Sequence, residues 1–139
     1  MSQRSILFVE DDADDALLLT HVCNRIGVEQ FSFATNGKEA ADFLHSKIQR
    51  GMISEAPLIF LDLNMPEMNG FEFLEWLRGK SEVYAMPVIV LSTSESPQDM
   101  KRAYALGANA YLVKSNALKE LRETIAAAHT FWSKYNRVP

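Results

Sequence analysis

Cysteine is almost missing from this chain. Cys23 is the one cysteine in 139 residues, so no internal disulfide can form, and a reducing compartment fits. Long apolar runs are missing too. No stretch approaches the roughly 20 apolar residues that a membrane helix needs. The amino terminus, MSQRSILFVEDD, meets acid after too short an apolar run for a signal peptide. The expectation is a cytoplasmic protein with no membrane contact. Nor is there a basic excess. The chain has 14 Lys and Arg against 18 Asp and Glu, a formal net charge of −4, which argues against non-specific nucleic-acid binding. The three histidines, His21, His45 and His129, lie far apart within helical patterns, so no zinc site is expected. There is no internal repeat, low-complexity segment or linker. What remains is 47% hydrophobic, which suits one soluble domain, spanning residues 1–139, with one full core.

That core is organised around PLIFLDLNMPEMNGFEFL, residues 57–74. The apolar run Leu58 to Leu61, flanked by Pro57 and turn signals, reads as a strand buried on both faces. It stops at a carboxylate, Asp62. Open α/β sheets place ligands and chemistry at that end of a strand, and nothing in the run requires an acid for packing.

The other elements follow the same alternation. Ser5–Val9 is the first strand, ended by Glu10, Asp11 and Asp12. A helix from about Asp14 to Ile26 carries Leu18, Leu19, Val22, Cys23 and Ile26 on one stripe, and Gly27 is placed to end it. Cys23 on that stripe reads as a core residue. Val28–Ala34 is a strand, and Lys38–Gln49 a helix with Ala40, Phe43, Leu44 and Ile48 on one face. Residues 50–56 form a loop. A short helix covers Phe71–Arg78, and Val88–Leu91 is the fourth strand. Ser96-Pro97-Gln98-Asp99 starts the next helix, with Ser96 as N-cap and Pro97 at the first position. Ala110–Val113 is the fifth strand. Asn116 is expected to cap a last helix over Ala117–Tyr135. Five strands alternating with helices, most of them apolar throughout, predict an α/β fold: a doubly wound five-stranded parallel sheet with helices on both faces.

In that fold one rim collects Glu10-Asp11-Asp12, Asp62, Ser92-Thr93 and Lys114. Two carboxylates 4 Å apart repel by roughly 4 kcal/mol at an effective dielectric of 20. A divalent cation relieves this, and hard oxygen ligands with positions left for water and phosphate suit Mg²⁺. Asp62, held ionised, could then attack a phosphoryl group, with Lys114 and the Ser92 hydroxyl receiving its oxygens. Taken singly, each residue has a structural explanation: helix capping, turn formation, a solvated lysine. Their joint occurrence at four strand ends favours chemistry.

The motifs FVEDD, LDLNMPEMNG, LST and AYLVK make the chain similar to response-regulator receiver domains of two-component signalling, from Ile6 to about Trp132. The resemblance implies the flavodoxin-like receiver fold. It implies that Asp62 accepts phosphate from a sensor histidine kinase or a phosphotransfer protein. It also implies that Asp11, Asp62 and the backbone carbonyl of Asn64 hold Mg²⁺, with Glu10 acting through water. Ser92 and Lys114 match the family's hydroxyl and lysine, and Tyr111 its switching aromatic. One departure is Ser115, which stands where the family usually has a proline, often cis; a cis bond without proline would cost roughly 3 kcal/mol. With the longer loop before strand three and the Phe131-Trp132 pair, the chain resembles single-domain receivers that partner phytochrome-type kinases. It ends soon after the last helix, so no output domain is expected.

Two other classes fit parts of the pattern. A Mg²⁺-dependent phosphatase could use an aspartyl nucleophile on such a sheet, but commonly carries a second acid two residues on, where this chain has Asn64. A binding module that has lost phosphorylation would not need the acid pair, hydroxyl and lysine together. The last helix, 19 residues or roughly 28 Å long, should overhang the sheet. That leaves Phe131, Trp132 and Tyr135 poorly covered, as for a homodimer interface through the C-terminal helix.

Overall fold

The computed structural model describes residues 4–52, 57–80 and 85–137. Strands β1 (Ile6–Val9), β2 (Phe31–Ala34), β3 (Leu58–Leu61), β4 (Val88–Ser92) and β5 (Ala110–Val113) alternate with helices α1 (Ala13–Ile26), α2 (Gly37–Gln49), α3 (Gly70–Arg78), α4 (Pro97–Ala105) and α5 (Leu118–Thr130). All strand pairs are parallel, in the order β2-β1-β3-β4-β5. The expected doubly wound sheet is therefore present. Strand alternation sorts its side chains into two layers. Leu7, Val9, Ile59, Leu61, Val88 and Val90 meet α2, α3 and α4. Ile6, Phe8, Leu58, Phe60, Ile89 and Leu91 meet α1 and α5. Burial on both faces is why β1 and β3 are apolar throughout, and β4 apolar up to its last residue, Ser92.

The helix signals locate the elements well. Asp12 caps α1 and Gly27 closes it in the left-handed conformation, φ 83°. Asn69 and Glu72 form a reciprocal capping box at α3, 3.0 and 3.1 Å. Gly70 is demanded by proximity: a Cβ there would run into the Asp62 carbonyl oxygen and Leu63 Cα. Helix α3 thus starts against the end of β3 and fixes the turn that carries Asp62.

Four expectations need correction. Leu18 belongs to the predicted apolar stripe of α1 but is exposed, while Leu19, Val22 and Cys23 are buried; the stripe is narrower than its spacing suggested. Residues 28–30 precede the ladder and are not part of β2. Asn116 does not cap α5. Ala117 holds the cap position without a side-chain bond, and the Ser115 hydroxyl instead accepts from Ala117 N (3.1 Å) and donates to Glu120 (2.8 Å). Beyond Thr130 the chain widens into a π turn, Phe131–Tyr135. Trp132 packs against its own core beside Leu121, Ile125 and Ala128, contrary to expectation, whereas Phe131 and Tyr135 stay 51% and 63% exposed. Of the predicted loop 50–56, residues 53–56 lie outside the described residues. No cis peptide occurs among the described residues, so Lys114-Ser115 is trans.

Candidate functional site

The order of the sheet reverses between β1 and β3, the usual place for a site in such a fold. Their register pairs Val9 with Leu61, so the next residues, Glu10 and Asp62, emerge side by side. The ladder holds them there, with Glu10 N donating to Ala34 O (2.9 Å) and Asp62 N to Val9 O (3.0 Å). Carboxylate oxygens of Glu10, Asp11 and Asp62 lie within 4.8 Å of one another. Asp12, read from the sequence with the same acid group, turns away. Its Oδ1 accepts from the α1 amides of Asp14 (2.9 Å) and Asp15 (3.1 Å).

Asp62 is half-buried, and its carboxyl is pushed up from 3.8 to about 6. Burial is the largest cause. The Glu10 charge adds to it, while Lys114 and the bond from Leu63 N (2.9 Å) oppose it. A carboxyl destabilised in this way by burial and its own kind is one that a cation would relieve. All three donors are hard oxygens, so the cluster fits a divalent metal ion.

Lys114 follows β5 directly and is placed by its amide, which donates to Ser92 O at 2.7 Å. Its ammonium is bound twice, by Glu10 Oε2 at 2.6 Å and by Asp15 Oδ2 at 3.0 Å. Burial works against the charged lysine, but these partners outweigh it and hold its pKa above the usual value. The other Glu10 oxygen accepts from Asp12 N at 3.1 Å. The sequence reading missed Asp15.

Ser92 is buried at the end of β4, its hydroxyl accepting from Ser94 N at 3.1 Å. Ser94 was also missed. Its hydroxyl donates to Asp99 (2.7 Å) and accepts from Ser96 N (3.2 Å), and its carbonyl accepts from the Tyr111 hydroxyl (2.9 Å). Tyr111 packs against the α2–α4 layer. Ser92, Tyr111 and the start of α4 are thus tied to one turn. Asn64 is exposed in the loop after Asp62. His21 and His45 are exposed, and buried His129 meets Arg4 O at 3.1 Å. Burial raises the Cys23 thiol to about 11, as suits a core residue.

A doubly wound sheet whose carboxyl rim gathers three carboxylates, one of them the half-buried Asp62, with a lysine and a buried hydroxyl beside them, is a site built to fit a divalent metal ion. The sequence model of the response regulator receiver domain matches residues 6–126, and the chain belongs to that family. It is therefore a receiver of two-component, phosphorelay signalling. It is 33% identical to response regulator Rcp1 of Synechocystis sp. over 96% of this chain and 92% of Rcp1. The Mn²⁺-bound form of Rcp1 superposes with a TM-score of 0.79, at 32% identity over 98% and 99% of the two chains. RPA3017, a response regulator in red light signalling of R. palustris, gives a TM-score of 0.84 at 33% identity, covering 97% of each chain. The phosphorylated cyanobacterial phytochrome response regulator RcpA gives 0.83 at 30%, covering 99% of each. A receiver implies a histidine kinase or phosphotransfer partner. No helix among the described residues is long and apolar enough to cross a membrane.

Proposed function

We propose that Asp62 accepts a phosphoryl group from a phosphohistidine of a sensor kinase or phosphotransfer protein. An Asp62 carboxylate oxygen attacks phosphorus, the P–N bond breaks, and its electron pair returns to the imidazole nitrogen. The observation that carries this reading is the convergence of Glu10 and Asp11 on half-buried Asp62 at the reversal point of the sheet. Mg²⁺ held by Asp11, Asp62 and the Asn64 carbonyl, with Glu10 acting through water, would neutralise the acids and the phosphoryl oxygens. Lys114 takes one phosphoryl oxygen and the Ser92 hydroxyl another. The protein is a phosphoacceptor that takes part in its own loading. Incubation with acetyl phosphate and Mg²⁺ followed by intact mass tests it. A single phosphoryl is expected on wild type, and none on Asp62→Asn or after chelation. Asp11→Ala should weaken metal binding severely. Catalytic turnover of phosphate esters would support a hydrolase instead.

Output follows from the Ser92–Ser94–Tyr111 connection to α4. Loading draws Ser92 toward the phosphoryl group, and Tyr111 follows. An identical Tyr111 rotamer and Ser92 position in loaded and unloaded structures would contradict this. The likeness to RcpA and to the red-light regulator supports a phytochrome-type kinase as partner, acting on one cytoplasmic receiver unit. Exposed Phe131 and Tyr135 support a homodimer through the end of the C-terminal helix. Phe131→Ala with Tyr135→Ala, which spares Trp132 because it packs against the core, should lower the association state in sedimentation and leave Asp62 loading intact. A wild type that is monomeric at high concentration, loaded and unloaded, would remove the dimer.

A further inference from the structure

The reading of Asp62 as acceptor leaves Asp15 unexplained. Asp15 sits in the first turn of α1, is not one of the three clustered carboxylates, and binds the Lys114 ammonium at 3.0 Å. We propose that Asp15 is a positioning residue that holds Lys114 in the unloaded receiver and gives it up when Asp62 is loaded. The proposal rests on that acceptor reading.

The two partners of Lys114 are not equivalent. The Glu10 side chain is 4% exposed and that of Asp15 31%. A buried carboxylate that loses its cation is left unpaired and dry, whereas a half-exposed one is taken up by water. An ammonium has three donors on a flexible four-carbon stem. Lys114 can therefore keep Glu10 and exchange Asp15 for a phosphoryl oxygen, and the exchange swings the ammonium over the rim toward Asp62. Asp15 thus competes with the phosphoryl group for one cation. Asp14, next in the chain and exposed, carries the same charge but has no bond to Lys114, which makes it the matched control.

The test uses the full chain and beryllofluoride, a tetrahedral phosphoryl mimic that sits on a carboxylate oxygen without forming or breaking a P–O bond. Affinity is read by ¹⁹F NMR in saturating Mg²⁺. Asp15→Asn should bind about two- to fivefold tighter than wild type, the range that a half-exposed ion pair spans. Asp14→Asn should match wild type. In a Lys114→Met background, Asp15→Asn should have no effect. A second readout needs neither metal nor mimic: in the metal-free protein, reductive methylation of Lys114, mapped by mass spectrometry, should be faster in Asp15→Asn than in wild type and unchanged in Asp14→Asn. Equal affinities and equal methylation rates for the two variants would overturn the proposal, as would an Asp15→Asn effect that survives without Lys114. Failure of wild type to bind the mimic would instead overturn the acceptor reading itself, and the methylation comparison would still decide whether Asp15 holds Lys114.

Discussion

Lys114 and Arg78 are tied down at opposite ends of the sheet. At the carboxyl rim, Lys114 is held by Glu10 and Asp15, and Glu10 is itself a member of the acid cluster. At the amino rim, Arg78 ends α3 and reaches the segments that enter β4 and β5. Its guanidinium donates to Gly107 O (3.0 and 2.7 Å), Met86 O (2.9 Å) and Asn109 Oδ1 (2.8 Å). Asn109 Oδ1 in turn accepts from Val88 N at 2.8 Å. Burial lowers the pKa of Arg78, while the carboxylates around Lys114 raise that of the lysine. A planar fork spread over fixed carbonyls is a staple, since no single partner can be exchanged without losing the geometry. A point charge shared between two carboxylates can trade one of them. The same fold therefore uses one cation to hold strands together and the other as a movable part of the site.

The largest expected effect comes from removing the movable cation. Lys114→Met leaves Glu10 buried without its counter-charge and should cost the metal-free protein about 3–5 kcal/mol. Adding Glu10→Gln should recover most of that loss, which urea unfolding of the two variants would show. If Lys114→Met is neutral, the ion pair contributes nothing and the contrast with Arg78 collapses.

Removing the staple should cost somewhat less. Arg78→Ala strips hydrogen bonds from partly buried carbonyls, a loss of about 2–3 kcal/mol. It should leave Mg²⁺ affinity and Asp62 loading unchanged, because nothing at the amino rim touches the acids. Calorimetric Mg²⁺ titration beside urea unfolding separates the two properties. A weakened metal site would show that the two rims are coupled.

The smallest effect carries a sign. Asp62 is held near 6 instead of 3.8, so in the folded state it keeps its proton to higher pH than in the unfolded chain. The stability this gives the metal-free fold is fully present below about pH 3.8 and is lost as pH rises through about 6. Asp62→Asn, which cannot ionise, should therefore be more stable than wild type by about 1–3 kcal/mol at pH 7. The advantage should vanish near pH 4 and shrink with saturating Mg²⁺. Thermal unfolding across that range without metal checks it. A variant less stable than wild type at pH 7 would mean that the acids are not strained.

Much of this was legible in the sequence because burial on two faces leaves a plain mark. The bounds of β3 and β5 match their apolar runs, and the strand ends deliver Glu10, Asp62, Ser92 and Lys114 to one rim as the alternation requires. The misses share a cause. Within DDADD nothing local separates Asp12, which caps a helix, from Asp15, whose partner lies 99 positions away. Ser94 looks like any serine of a turn until Tyr111 and Asp99 are brought against it. At Asn116 a good capping residue lost to Ser115, whose hydroxyl reaches both Ala117 N and Glu120. The π turn at Phe131–Tyr135 has no composition of its own, so the predicted helix ran through it unbroken. Side-chain bonding across the fold decides such details, and period-based reading does not see it.

The account stands on Asp62 as the acceptor, and an acyl phosphate can be fixed in place chemically. Borohydride reduces an acyl phosphate to the alcohol, so a loaded aspartate becomes homoserine. After incubation with acetyl phosphate and Mg²⁺, reduction and peptide mapping by tandem mass spectrometry should find homoserine at position 62 alone. Homoserine at 11, 12 or 15, or none in a protein that has gained phosphoryl mass, would contradict it.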